Sequence, residues 1–213
     1  MTDERDVKAT AVISTYGTLL VVARRGCERS KDVGQEAIVA IVFSALAVEG
    51  FVNHLATLTS GPLAERSGEE LRAFAGIMGD LEDQRVGVET KIQMAYYVLT
   101  REVLDRGALP YQDFSLLVDL RNGLVHSRPE RIDWPPRTDW NPHRLVQRLV
   151  DRKVIPKPSS GQAPQFQAVV CCHEVACWAY NLALTMMNFL IEALPAGDFK
   201  ESSAFIAGNF PPI

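Results

Sequence analysis

Residues 35–59 read QEAIVAIVFSALAVEGFVNHLATLT, and this stretch decides the fold. Its apolar residues recur at helical spacing over about seven turns, which predicts one long helix with a wide buried face. The apolar positions are Ile38, Ile41, Val42, Ala45, Leu46, Val48, Val52, Leu55 and Ala56. Ser60, Gly61 and Pro62 follow and should end the helix. We therefore expect this stretch to be a core helix.

Helical periodicity also dominates the rest of the chain. It predicts a shorter helix opening near Ser67, a helix from Thr90 to Arg106 closed by Gly107, one from about Tyr111 to His126, a short one over about 142–152 and a long last one over about 165–193. Residues 7–29 are ambiguous between helix and strand, and we take them as helix because nothing else is available to pair with a strand. The fold class expected is all-α, an up-and-down helical bundle with extra short helices.

A chain of 213 residues can bury its core as one domain, so a single helical domain is expected over 1–213. Within it, residues 1–30 form a helical extension and residues 196–213 a tail of uncertain structure. Residues 132–164 form a proline-rich insertion before the last helix, because they contain Pro135, Pro136, Pro142, Pro156, Pro158 and Pro164.

The composition is that of an ordinary globular protein, with 47% hydrophobic and 23% charged residues. The net charge of −4 argues against broad, non-specific affinity for nucleic acid. Basic residues are nevertheless concentrated between Arg121 and Ser160, where a phosphate backbone could bind. The acidic N-terminus and the expectation that no apolar run spans a bilayer favour a cytoplasmic protein with no membrane partner.

Four cysteines, Cys27, Cys171, Cys172 and Cys177, are expected to be buried, reduced thiols. His173 and Cys177 would share a face of a helix, but Cys171 and Cys172 would point elsewhere. Because no second cluster completes four ligands, no metal site is predicted.

The sequence Arg121-Asn122-Gly123-Leu124-Val125-His126 places groups for phosphate chemistry at the end of a predicted helix. An arginine can donate two N–H groups at once to phosphate oxygens, and a histidine exchanges protons near neutral pH. Asn122 and His126, four residues apart, share a helix face. The alternative is an exposed histidine capping the helix beside an exposed arginine.

A second pair of polar residues, Glu49 and Asn53, lies in the apolar core helix. An inward-facing glutamate is costly unless it is paired, so we expect Arg121 to be its partner, with Asn53 beside it. The alternative is that Glu49 and Asn53 mark a solvent-facing stripe of the helix.

Together, residues 45–53 (ALAVEGFVN) and the Arg-x4-His motif from Arg121 to His126 resemble the HEPN family, the higher eukaryotes and prokaryotes nucleotide-binding domain. The first stretch is similar to the family's "ALExFxN" pattern, and Asn122 supplies the polar residue that usually follows the arginine. The resemblance covers roughly residues 35–130 and the last long helix. Gly123 within the motif and the proline-rich segment after it depart from the pattern.

The resemblance implies a bundle that dimerises so that two motifs meet in one cleft, and a metal-independent endoribonuclease that needs no cofactor. His126 would be the general acid or base, Arg121 would stabilise the phosphorane, and Asn122 would orient either group. Arg128 and Arg131 are expected to contact RNA, and the product would be a 2′,3′-cyclic phosphate. Many such proteins are toxins or antiphage effectors, so an antitoxin protein is a possible partner.

Two other functions stay open. One is a non-catalytic HEPN module that dimerises or binds a nucleotide. The other is a helical interaction protein outside the family, in which Glu49 faces water and Arg121 lies apart from His126.

Overall fold

The computed structural model describes residues 15–60, 69–126, 143–157 and 166–213, and all regular secondary structure within those ranges is helical. The predicted all-α helical bundle is therefore confirmed. In chain order the helices are α1 (Tyr16–Arg29), α2 (Glu36–Ser60), α3 (Glu69–Asp83), α4 (Val88–Thr100), α5 (Tyr111–Val125), α6 (Arg144–Asp151), α7 (Phe166–Val170), α8 (His173–Ala193) and α9 (Asp198–Gly208). Residues 1–14 lie outside the description, so the helix predicted over 7–29 is confirmed for its second part.

Helix α2 is the centre of the bundle and packs against α1, α3, α5 and α8. Its wide apolar face is buried as predicted, with Val48, Phe51 and Val52 almost completely inaccessible to solvent. The expectation that no apolar run could span a bilayer was wrong, because α2 alone among the described helices is long and apolar enough to do so. Half of its most apolar 18 residues are buried inside the bundle, and a core helix can have the same length and hydropathy.

Small residues let α1, α2 and α8 approach one another closely. A Cβ atom at Gly26 would lie 2.8 Å from the backbone nitrogen of Ala40, so only glycine allows α1 to cross α2 at this distance. Cys27, the next residue, is fully buried in a small cluster with alanines of α2 and α8: Ala37, Ala40 and Ala176. The crossing therefore holds the last turn of α1 against α8.

Two predicted helices end or break where the sequence did not indicate it. Helix α4 stops at Thr100 and not at Arg106, because Arg101 adopts a left-handed conformation with φ of 62°. The Thr100 hydroxyl accepts a hydrogen bond from the backbone N–H of Glu102 at 3.1 Å, which satisfies a donor just after the helix end.

The predicted last helix over about 165–193 is divided into α7 and α8 by Cys171 and Cys172, and Cys172 has extended backbone angles. The tail then forms the additional helix α9, which packs on α8. Asn181 of α8 and Ile213 join the end of the chain to the bundle by two hydrogen bonds of 2.8 and 2.9 Å.

Candidate functional site

The C-terminal end of α5 carries the three residues predicted to be catalytic. His126 is the C-cap residue, and its backbone N–H donates to the carbonyl oxygen of Asn122 at 2.9 Å. The side chains of Asn122 and His126 are both exposed. Since they lie one helical turn apart, both point toward solvent from the same helix end.

Arg121 is held against its neighbour. Its Nη1 donates a hydrogen bond to Oδ1 of Asn122 at 2.8 Å, which fixes one edge of the guanidinium. The side chain is half-buried, and its Nε is buried without a hydrogen-bond acceptor among the described residues. A buried donor without a partner costs about 1–3 kcal/mol.

Arg121 and Glu49 do not form the expected ion pair. Oε1 of Glu49 lies 3.9 Å from Nζ of Lys91 on α4, and Oδ1 of Asn53 accepts from the same Nζ at 3.4 Å. Lys91 is 2% exposed and also forms an ion pair with Glu82. The expectation failed because α2 presents Glu49 and Asn53 to α4, where a buried ammonium needs acceptors.

Lys91 is the residue that sequence reasoning missed. A lysine at the start of a helix is expected to be exposed to solvent, since lysine is almost never fully buried unless it is paired. Two of its three partners, Glu49 and Asn53, come from α2 and are about 40 residues away in sequence, and the third, Glu82, is at the end of α3. Glu49 and Asn53 therefore act together with Lys91 and Glu82 in this structure, between α2, α3 and α4.

Gly123, inside the motif, allows α7 to pack directly on α5. A Cβ atom there would lie 3.2 Å from Cζ of Phe166, tighter than ordinary van der Waals contact. The ring of Phe166 also contacts His143, whose ring centroid is 4.6 Å from that of the phenylalanine. The glycine thus permits the close approach of Phe166 to α5.

Two arginines of the basic segment are paired with acidic residues of α5. Arg148 donates to Asp119 at 2.5 Å, and Arg152 forms an ion pair with Asp113. Arg144 and Lys153 are exposed. Arg128 and Arg131, the predicted RNA contacts, lie outside the described residues.

A cavity of about 310 Å³ opens beside the other end of α5. It is lined by residues of the α4–α5 loop, the first turn of α5 and α8: Leu109, Pro110, Asp113, Trp178, Asn181, Leu182 and Thr185. Thirteen residues separate Asp113 from His126, which corresponds to about 20 Å along a helix. This cavity therefore does not belong to the Arg121–His126 site.

Two of the four cysteines are not free thiols, contrary to the expectation. Cys27 and Cys177 form a disulfide across 150 residues of sequence, because the α1–α2–α8 crossing brings their Cα atoms to 5.5 Å. Cys171 and Cys172 are free and half-buried. Burial raises the pKa of the Cys171 thiol, and it raises that of Cys172 to about 11, so both stay protonated near neutral pH.

Comparison with models of protein families, with characterised proteins and with solved structures finds no match for this chain.

Proposed function

We propose that this protein is a metal-independent endoribonuclease of HEPN type that uses Arg121, Asn122 and His126. The observation that carries the proposal is the arrangement at the end of α5. A guanidinium is fixed to the Asn122 amide at 2.8 Å, and an exposed imidazole lies one turn further along the same helix. These are the group types that RNA cleavage through the 2′-hydroxyl requires.

In the proposed reaction, His126 removes the proton of the ribose 2′-hydroxyl or protonates the leaving 5′-oxygen. The 2′-oxygen attacks phosphorus, the bond to the 5′-oxygen breaks, and the product is a 2′,3′-cyclic phosphate. Arg121 stabilises the charge that develops on the phosphorane oxygens. Asn122 keeps the guanidinium in place through its amide oxygen.

A homodimer fits this chemistry better than a single protomer. Among the described residues, no hydrogen bond or ion pair joins Arg121 to His126, and His126 has neither a base-orienting partner nor a lid. Val125, the residue before His126, is 49% exposed. Two copies meeting at this end of α5 would cover Val125 and bring two motifs into one cleft.

The substrate class proposed is single-stranded or structured RNA. The net charge of −4 disfavours indiscriminate binding, so contacts must be local. Arg144 and Lys153 flank α6 as exposed cations, and Arg128 and Arg131 follow the motif in sequence. A toxin or antiphage role in the cytoplasm, restrained by an antitoxin protein, would be consistent with such an activity.

The test is digestion of RNA by the purified protein in the presence of a metal chelator. We expect fragments with 2′,3′-cyclic phosphate ends, and a loss of at least about 100-fold in rate for His126→Ala and for Arg121→Ala. Arg72→Ala, which removes an exposed arginine from α3, is the matched control and should cleave like the unaltered protein. Unchanged cleavage in both motif variants would exclude this site.

A non-catalytic HEPN module is the second candidate. It is favoured by the half-buried position of Arg121, because the buried Nε is not accessible to a substrate. This function predicts a folded dimer without cleavage at any enzyme concentration. A rise in melting temperature with added nucleotide would then identify a nucleotide-binding module.

A further inference from the structure

Three side chains able to bind a metal meet where α1 lies against α8. Cys27 is in the last turn of α1, and His173 and Cys177 stand one turn apart at the start of α8. One nitrogen or sulfur atom from each lies within 4.8 Å of the others. Cys27 is fully buried, whereas His173 and Cys177 are half-buried, so the cluster is reached from the α8 side.

The surroundings of His173 fix its tautomer. Its Nδ1 lies 3.1 Å from the carbonyl oxygen of Cys27 and 3.0 Å from Oγ of Ser30. The Ser30 hydroxyl donates its own proton to that carbonyl at 2.6 Å, so both neighbours of Nδ1 act as acceptors. Nδ1 therefore carries the proton, and Nε2 presents its lone pair. Metal-binding histidines usually donate their second N–H to a backbone carbonyl in this way.

The distance between Nε2 of His173 and Sγ of Cys177 also fits a tetrahedral metal site. Nε2 of His173 lies 3.4 Å from Sγ of Cys177. With Zn–S near 2.3 Å and Zn–N near 2.0 Å, neighbouring N and S ligands of a tetrahedral site lie about 3.5 Å apart. Two such sulfurs lie about 3.8 Å apart, so the Cys27–Cys177 bond must open before an ion enters.

We propose that the dithiol form of this protein binds a zinc ion through Cys27, His173 and Cys177. Two thiolates and one imidazole are the soft, tetrahedral ligand set that zinc takes, with a water molecule at the fourth position. In a reducing compartment a cysteine pair of this kind is more often a metal ligand than a structural disulfide. The site is separate from Arg121 and His126 and does not depend on the ribonuclease proposal.

The disulfide form and the dithiol form of this protein differ by two electrons. A dithiol reductant breaks the Cys27–Cys177 bond and leaves a thiol on each residue, while its own two thiols become a disulfide. Zinc then displaces the two thiol protons and binds both sulfurs. Oxidation by a peroxide returns the disulfide, reduces the peroxide to water or an alcohol, and releases the ion. The contact between α1 and α8 would be covalent in one state and metal-bridged in the other.

The first experiment is an anaerobic titration of the reduced, full-length protein with Co²⁺, followed by displacement with Zn²⁺. We expect saturation at one ion per chain, thiolate-to-cobalt charge-transfer absorption and ligand-field bands of tetrahedral intensity. His173→Ala and Cys177→Ser should each weaken binding at least about tenfold. The double variant Cys171→Ser/Cys172→Ser removes the same kind of group next to the site and should bind like the unaltered chain. The oxidised protein should take up no ion until it is reduced.

A second measurement needs no variant and so does not depend on how well a variant folds. Reduced protein is alkylated with iodoacetamide with and without Zn²⁺, and the cysteine peptides are quantified by mass spectrometry. Zinc should protect Cys177 and leave the alkylation of Cys171 and Cys172 unchanged. The proposal is overturned by the lack of saturable binding, by equal protection of all cysteines, or by binding that requires Cys171 and Cys172 and survives Cys177→Ser.

Discussion

Nη1 of Arg148 lies 2.5 Å from Oδ2 of Asp119, which fastens α6 to the motif-bearing helix α5 two residues before Arg121. A second pair, between Arg152 at the C-cap of α6 and Asp113, lies about 1.7 turns earlier on α5. The two pairs differ in burial. The side chains of Asp119 and Arg148 are about one third exposed, and those of Asp113 and Arg152 about one fifth.

This difference predicts unequal coupling energies in double-mutant cycles with alanine. We expect about 0.5–1 kcal/mol for Asp119 with Arg148, as for other solvent-accessible pairs. The Asp113–Arg152 pair should give a larger value, because less water screens it and either partner alone would be poorly solvated. Urea unfolding of each set of four proteins measures both. A larger coupling for the more exposed pair would show that the ion pairs contribute differently from what their burial indicates.

If the ribonuclease site is shared between protomers, two inactive variants should complement each other. The one cleft of a mixed dimer of Arg121→Ala and His126→Ala would still hold one Arg121 and one His126, from different protomers, which is half of the full set of groups. Random exchange makes about half of the dimers mixed, so about a quarter of the unaltered activity should return. The measurement is RNA cleavage after the two variants are unfolded and refolded together.

The control for complementation is each variant refolded alone, which should stay inactive. No recovery in the mixture, together with dimers seen by light scattering, would mean that Arg121 and His126 act within one protomer or do not act in cleavage.

Gly26 and Gly34 should not tolerate a methyl group. A Cβ atom would lie 2.8 Å from the Ala40 nitrogen at the first position and 2.6 Å from the Cys171 carbonyl oxygen at the second. Because backbone atoms cannot give way cheaply, Gly26→Ala and Gly34→Ala should each lower the free energy of unfolding by about 1–3 kcal/mol. Chemical denaturation measures the change.

Helix α3 supplies matched controls for these substitutions. Gly76 and Gly79 are exposed helical residues with nothing within 4 Å of an added Cβ. Gly76→Ala and Gly79→Ala should raise stability by about 0.5–1 kcal/mol, since alanine favours a helix. Equal effects at all four positions would show that helix propensity, and not close packing, decides the result.

His54 predicts a pH dependence of stability. Partial burial lowers the pKa of this imidazole below its ordinary value of 6.5, with its ring centroid 5.2 Å from that of Tyr16. A base with a lowered pKa in the folded state binds its proton more readily when unfolded. The contribution of neutral His54 to the stability of the folded state is therefore fully present above pH 6.5. It is lost as the pH falls toward the folded pKa.

The measurement compares urea unfolding at about pH 7.5 and about pH 5 for the unaltered protein and His54→Gln. The variant should lose less stability on acidification. Tyr16→Phe keeps both the histidine and the ring packing. On acidification it should therefore lose as much stability as the unaltered chain. An identical loss in His54→Gln would assign the acid sensitivity to other groups.

The sequence by itself determined the helical class and most helix positions. Periodic apolar residues over 36–60 and 111–125 form a continuous apolar face only in a helix, and local turn chemistry marks where such helices stop. The prediction was wrong where a helix end depended on a left-handed conformation that residues other than glycine rarely adopt, as at Arg101, and where the last helix was divided at Cys171 and Cys172. The Arg121–His126 motif was visible because its residues are neighbours in the chain.

Only the tertiary structure decided which distant side chains meet. Glu49 faces Lys91 and not Arg121, because the angle at which α2 crosses its neighbours selects the partner of a buried charge. Cys27 reaches His173 and Cys177 because glycine and alanine let three helices approach one another. Such contacts depend on helix rotation and crossing distance, which periodicity leaves free, so no spacing in the chain encodes them.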